Sequence, residues 1–157
     1  MSLDKQALLS KRKENFPNFF DELLTALVDF VGKLGIRPAH EVLKNAVQFG
    51  PYVDDALRDM EIKSEEDKIW VLQRIGYFIG EYFVQKFGGA WYINEITGSR
   101  YFARYVVGQF AGFGGTTMLD PFDVAHVYVN SPAPRHLISL LAEVEKELNE
   151  TLSNGKP

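Results

Sequence analysis

Apolar residues recur at helical spacing along most of this chain, and in one segment they leave almost no polar face. Between Ile69 and Phe87 the apolar set is Ile69, Trp70, Val71, Leu72, Ile75, Phe78, Ile79, Tyr82, Phe83, Val84 and Phe87. A helix apolar on most sides is usually wrapped by other elements, so the pattern predicts a buried central helix over about 64–87. Ser64 marks its start, because a serine hydroxyl accepts from a free backbone N–H of the first turn. Glu65, Glu66 and Asp67 then suit the positive end of the helix dipole. Gly88-Gly89 closes it. Gly76 and Gly80 lie one turn apart on one side, and each costs about 1 kcal/mol relative to alanine in a helix interior. They read as tight packing against another helix or an aromatic ring. A membrane dimer motif is disfavoured by the charges on the same helix.

Around this helix the pattern predicts amphipathic segments and a small ribbon. Residues 3–13 read as a short first helix, frayed at its start. Phe16, Phe19, Phe20, Leu23, Leu24, Leu27, Val28, Val31 and Leu34 predict a second, ended by Gly35 in a left-handed conformation. Pro38 suits the first turn of another helix, with Val42, Leu43, Ala46, Val47 and Phe49 inward. Gly50-Pro51 reads as a break before a further short helix over Tyr52–Met60. Trp91–Ile96 and Tyr101–Val107, joined by Thr97-Gly98-Ser99, predict a β-hairpin over about 90–107. A lone hairpin is marginal in water, so it must pack on the helices or gain a strand. Gly108–Thr117 is loop-like. Asp120 and Pro121 have the chemistry of a helix start, yet Val124, Val127 and Val129 suit a strand, which leaves 122–129 open between the two. A last helix is predicted from about Pro134 to Leu152. The fold class expected is α+β: a mostly helical single domain over 1–157, with short frayed termini.

Composition narrows the function classes. Twelve Phe, seven Tyr and two Trp in 157 residues supply a sizeable aromatic core. Cysteine is absent, which excludes disulfides, thiolate metal sites and a cysteine nucleophile. A net charge of −4 gives no long-range attraction to a phosphate backbone. The cluster Lys11-Arg12-Lys13, followed by Glu14, reads as a solvated helix end, so no nucleic-acid partner is expected. The N-terminus lacks a secretory pattern, and Arg74 and Glu81 interrupt the best candidate membrane span. A cytoplasmic protein without a membrane partner is expected.

Candidate chemistry centres on Glu81. If buried, its carboxylate must be paired or hydrogen-bonded, and a structural ion pair with Arg74, Arg100 or Arg104 is expected. A general acid or base with a raised pKa is the alternative. The loop Gly112-Phe113-Gly114-Gly115-Thr116-Thr117 lacks the Gly-Lys-Ser/Thr ending and the strand–GxGxxG–helix context of phosphate loops. Its glycines suit turns or a flap carrying Phe110 and Phe113. Of His40, His126 and His136, His126 could share a helix face with Asp123, and with Asp120 or Glu81 form a metal or acid/base site. No HExxH or comparable ligand set exists, and no Gly-x-Ser-x-Gly occurs. No metal, cofactor or catalytic residue is assigned.

Gly80-Glu81, then Gly88-Gly89-x-Trp91, a hairpin, and Asp120-Pro121-Phe122 form an ordered pattern. It resembles a GE…GGxW…DPF pattern in small uncharacterised bacterial proteins, some discussed as candidate immunity or toxin-neutralising factors. The resemblance covers about a third of the chain. It implies a bacterial cytoplasmic origin and an α+β fold, and it carries over no catalytic residue. The glycine-rich insertion before Asp120 departs from it.

The leading expectation is a non-enzymatic protein-binding module, of the immunity type that the resemblance suggests, with a protein partner or self-association. Its expected contact surface is the hairpin and glycine loop, with Tyr92, Tyr101, Tyr105, Phe110 and Phe113 as anchors. The alternative is a small-molecule-binding protein or enzyme with a pocket between the central helix and the hairpin, where Glu81, Arg104 and His126 are the polar groups. Glu81 facing a solvent-reachable cavity, as opposed to a salt bridge, separates the two.

Overall fold

The structure, a computed structural model, describes residues 2–112 and 117–154, with side chains to Glu150. Phe113 and the rest of the 113–116 segment lie outside the described residues. Five α-helices and three strands follow in the order α1 (Leu3–Lys33), α2 (Val42–Leu57), α3 (Glu65–Phe87), β1 (Ala90–Ile93), β2 (Tyr105–Gly108), β3 (Met118–Leu119), α4 (Pro121–Asn130) and α5 (Leu137–Asn154). The chain is thus mostly helical, with one small antiparallel sheet of order β1-β2-β3.

The central helix is where the apolar pattern puts it. Ser64 Oγ accepts from Asp67 N–H at 3.1 Å, and Gly88 ends α3 with φ +66°. Every residue from Ile75 to Phe83 is buried. Its two interior glycines admit rings: Gly76 faces Phe122 of α4, and Gly80 faces Trp91 of β1. A methyl on Gly76 would stand 2.5 Å from Phe122 Cδ1. One hydrophobic core joins α1, α2, α3, the sheet, α4 and α5.

Several boundaries differ from the sequence expectations. No separate first helix precedes Phe16; α1 runs unbroken through Pro17. Proline inside a helix removes one backbone bond and crowds the preceding turn. Here contacts with the sheet hold α1 on the N-terminal side of Pro17. Arg12 Nη1 donates to the Ala103 carbonyl (3.3 Å), and Tyr105 Oη donates to the Arg12 carbonyl (3.1 Å). Just beyond Pro17, the ring of Phe19 stacks on Tyr105 at 4.1 Å.

Gly50-Pro51 does not break α2, and Pro38 precedes a single 3₁₀ turn, Ala39–Glu41. The distortion in α2 falls at Asn45 (φ −128°, ψ 36°). There Gln85 of α3 supplies the missing bonds: its Oε1 accepts from Ala46 N–H at 2.7 Å and its Nε2 donates to the Val42 carbonyl at 2.9 Å. Gly50 instead provides a close approach for Ile138 and Tyr82.

The hairpin is shorter than expected. Tyr101 and Phe102 belong to its connection, which is closed by Ala103 N–H donating to the Asn94 carbonyl at 2.7 Å. The ribbon both packs on helices and gains a strand, since β3 pairs Leu119 with Val107 and Met118 with Gly108. Segment 122–129 is helical: Asp120 Oδ1 accepts from Phe122 N–H at 2.9 Å, and Pro121 opens α4. The last helix starts at Leu137, after Pro134, where Asp54 of α2 caps it by accepting from Leu137 N–H at 2.9 Å. No helix among the described residues is long and apolar enough to cross a membrane.

Candidate functional site

A groove of about 470 Å³ lies between α1, α2, α3 and β1. Phe16, Phe20 and Leu24 of α1 form one wall, and Leu43 of α2 and Val84 of α3 form another. The β1 side carries Ala90 and Trp91, and Glu81 is the one charged residue lining the groove among the described residues. The α1 wall follows from spacing, because positions four apart share a helix face. Glu81 reaches the groove because Gly80 beside it lets the indole of Trp91 lie against α3.

Glu81 is 6% exposed. Trp91 Nε1 donates to Glu81 Oε1 at 3.1 Å. Burial pushes the Glu81 carboxyl above its ordinary value of 4.5, while hydrogen bonds from Gln85 and Trp91 pull the other way. The indole is fixed from a second side by Phe19, edge-on at 5.5 Å. Gln85 itself is bonded to the distorted turn of α2, at Val42 and Ala46.

The expected ion pair at Glu81 is not formed among the described residues, and each candidate arginine is engaged elsewhere. Arg74 lies over the Trp70 ring at 4.2 Å, and Arg100 is hydrogen-bonded to Tyr101. Arg104 bridges Asp120 (3.0 Å) and Asp123 (3.2 Å). The reason is positional. The helical rise separates Arg74 from Glu81 by roughly 10 Å, and the hairpin connection carries both later arginines toward α4. Burial raises the Asp120 carboxyl, opposed by the Phe122 N–H and by Arg104.

The polar set expected with Glu81 is also not assembled. Arg104 is exposed beside α4, and His126 is exposed on α4. A second groove of about 430 Å³ is lined by Arg100, Tyr101, Asp120, Asp123 and apolar residues of α4 and α5. Among the described residues no group of three or more His, Asp or Glu side chains could hold a metal.

The expected anchors take different places. Phe110 is buried at 4% exposure, edge-on to Phe87. Tyr105 is half-buried, stacked on Phe19 and bonded to α1. Tyr92 is half-buried, its hydroxyl against Gly108, and burial raises its pKa. Tyr101 is half-buried beneath Arg100 and Arg104. Phe16, Phe20, Leu24 and Leu43 were not foreseen as groove residues. Only the four-residue spacing of the first three offered a signal, and that spacing reads equally as core.

Compared with protein-family models, curated proteins and solved structures, this chain matches none.

Proposed function

We propose that the protein binds a small, largely apolar molecule in the groove between α1, α3 and β1, with Glu81 hydrogen-bonding its polar end. The observation that carries this reading is a buried carboxylate, without a salt bridge among the described residues, in the wall of an otherwise apolar groove. Ligand sites are typically concave, of about 300–1,000 Å³, and mostly apolar with a few fixed polar groups. With the resemblance of Gly80–Phe122 to bacterial proteins, we assign this activity to a bacterial cytoplasm. The test uses N-phenyl-1-naphthylamine, an apolar fluorescent probe, and the Val84→Trp variant, which fills the groove. Saturable binding of one probe per chain, abolished in a folded Val84→Trp protein, is the expected result. Probe binding indifferent to Val84→Trp would remove the groove from the argument.

A second reading, the protein-binding or self-associating module, draws on the 48% exposed Ile96 in the hairpin connection, which also carries half-buried Tyr101. Sedimentation that depends on concentration, and loses that dependence in Ile96→Asp, would support it. Identical sedimentation of both proteins at every concentration would count against it.

A further inference from the structure

We infer that the groove selects an organic cation: a protonated amine on an apolar body, its nitrogen against the Glu81 carboxylate and its alkyl part along Phe16, Phe20 and Trp91. This rests on the groove being a ligand site and goes on to the head group it takes.

Charge decides first. Among the described residues Glu81 is the groove's one charged lining residue, and no lysine, arginine or histidine lines it. An anionic head group would meet a like charge in a site of reduced dielectric, where such encounters are least screened. The carboxylate is held by a neutral donor, Trp91 Nε1–H at 3.1 Å, and the neutral Gln85 amide one turn along α3 favours its charged form without cancelling it. Neutral N–H groups satisfy acceptor lone pairs without cancelling the charge. A carboxylate has about four acceptor positions, so capacity remains for a donor from a ligand. A protonated amine supplies both the hydrogen bond and the missing opposite charge.

The walls point the same way. Trp91, Phe16 and Phe20 line the groove beside the carboxylate, with the Phe16 and Phe20 centroids 6.2 Å apart. Aromatic faces attract cations through their quadrupole, and rings grouped around an anion are a recurrent way to hold alkylammonium groups. The Trp91 ring is pre-positioned by Gly80, Phe19 and Glu81, so little side-chain freedom is lost when a ligand arrives. Desolvation of Glu81 is also the larger influence on its proton, and a cation relieves the same penalty that the proton relieves.

The experiment is calorimetric titration at neutral pH with n-octylammonium, 1-octanol and octanoate, which share a chain and differ in head group. The targets are the native protein, Glu81→Gln and Val84→Trp. Octylammonium should bind the native protein about tenfold or more tighter than octanol, as a charge-assisted hydrogen bond outweighs a neutral one. Octanoate should bind weakest. Glu81→Gln keeps the shape and an acceptor for Trp91, and should erase the preference for octylammonium over octanol. If octanol matches octylammonium on the native protein, the cation assignment fails while the groove survives as an apolar site. If none of the three binds, or Val84→Trp changes nothing, the groove itself fails and the assignment with it. The comparison of ligands on the native protein decides the head group even if Glu81→Gln does not fold.

Discussion

Replacing Gly80 with Ala adds one methyl group at the point where α3 meets the indole of Trp91. That methyl would overlap the indole at Trp91 Cζ2, and even Trp91 Cε2 would lie only 2.7 Å away. Two opposing effects set the outcome. Alanine favours the helix by about 1 kcal/mol over glycine. Against this, overpacking a filled site costs typically about 1–3 kcal/mol. The indole has little room to retreat, since Phe19 stands edge-on at 5.5 Å and Nε1 is bonded to Glu81. Moving it breaks that bond and leaves a buried carboxylate short of a donor, roughly another 1–3 kcal/mol. The expected net loss is about 3 kcal/mol, and at roughly 2–4 °C per kcal/mol for a chain of this size the melting temperature should fall by about 9 °C. Urea unfolding followed by far-UV circular dichroism measures it. Gly35→Ala is the control: its φ is +81° with nothing within 4 Å, so only a left-handed backbone penalty of about 1 kcal/mol applies. An unchanged or raised unfolding midpoint for Gly80→Ala would refute the packing of Trp91 against α3, and with it the position of Glu81.

Three further outcomes are expected. Glu81 has a raised carboxyl pKa in the fold, so its stabilising contribution is full below the ordinary value of 4.5 and is lost as pH rises through the folded value. Glu81→Gln should therefore gain stability relative to the native protein as pH increases over that window in urea titrations, and a constant or falling difference would contradict the burial argument. Tyr128 is 2% exposed, its hydroxyl has no hydrogen-bond partner among the described residues, and burial drives its pKa up to about 12. Tyr128→Phe should be neutral or stabilising by about 1 kcal/mol, whereas a loss of stability by calorimetry would reveal a bonded hydroxyl. Arg104→Ala removes the partner of buried Asp120, but Arg104 is 44% exposed, so the expected loss is about 1–2 kcal/mol. Thermal melts in low and high salt check it, the difference from native narrowing at high salt; a salt-independent difference would deny the ion pair.

The legible parts of this fold were those dictated by local chemistry. Ser64, Gly88 and Asp120-Pro121 each cap an element through bonds to backbone within a few residues, and each cap forms where its residue type suggests. The paired glycines of α3 were readable as points of close approach by a helix or a ring, because little else repays glycine in a helix interior, and both admit rings. What failed to show was non-local. Gly50-Pro51 reads as a break because a proline's local effect is visible, and the apolar pattern before Phe16 reads as a separate helix, while the contacts that keep both helices whole come from the sheet and α5. The kink at Asn45 has no local signal, since its remedy, Gln85, lies 40 residues away. Glu81 stood out as a carboxylate in an apolar helix, but its bond to Trp91 crosses the turn at Gly88-Gly89, which spacing along α3 does not show.

The two tryptophans offer the most direct test of the groove as a ligand site, because they report from different places. Trp91 lines the groove, while Trp70 packs between Phe30 and Arg74. Their indole N–H signals in a ¹⁵N–¹H correlation spectrum, assigned with Trp70→Phe, can be followed during titration with n-octylammonium. A saturable shift of the Trp91 signal, with Trp70 stationary, is the expected result. A Trp91 signal that stays still, or moves only in step with Trp70, would contradict the placement of the ligand against Glu81 and Trp91.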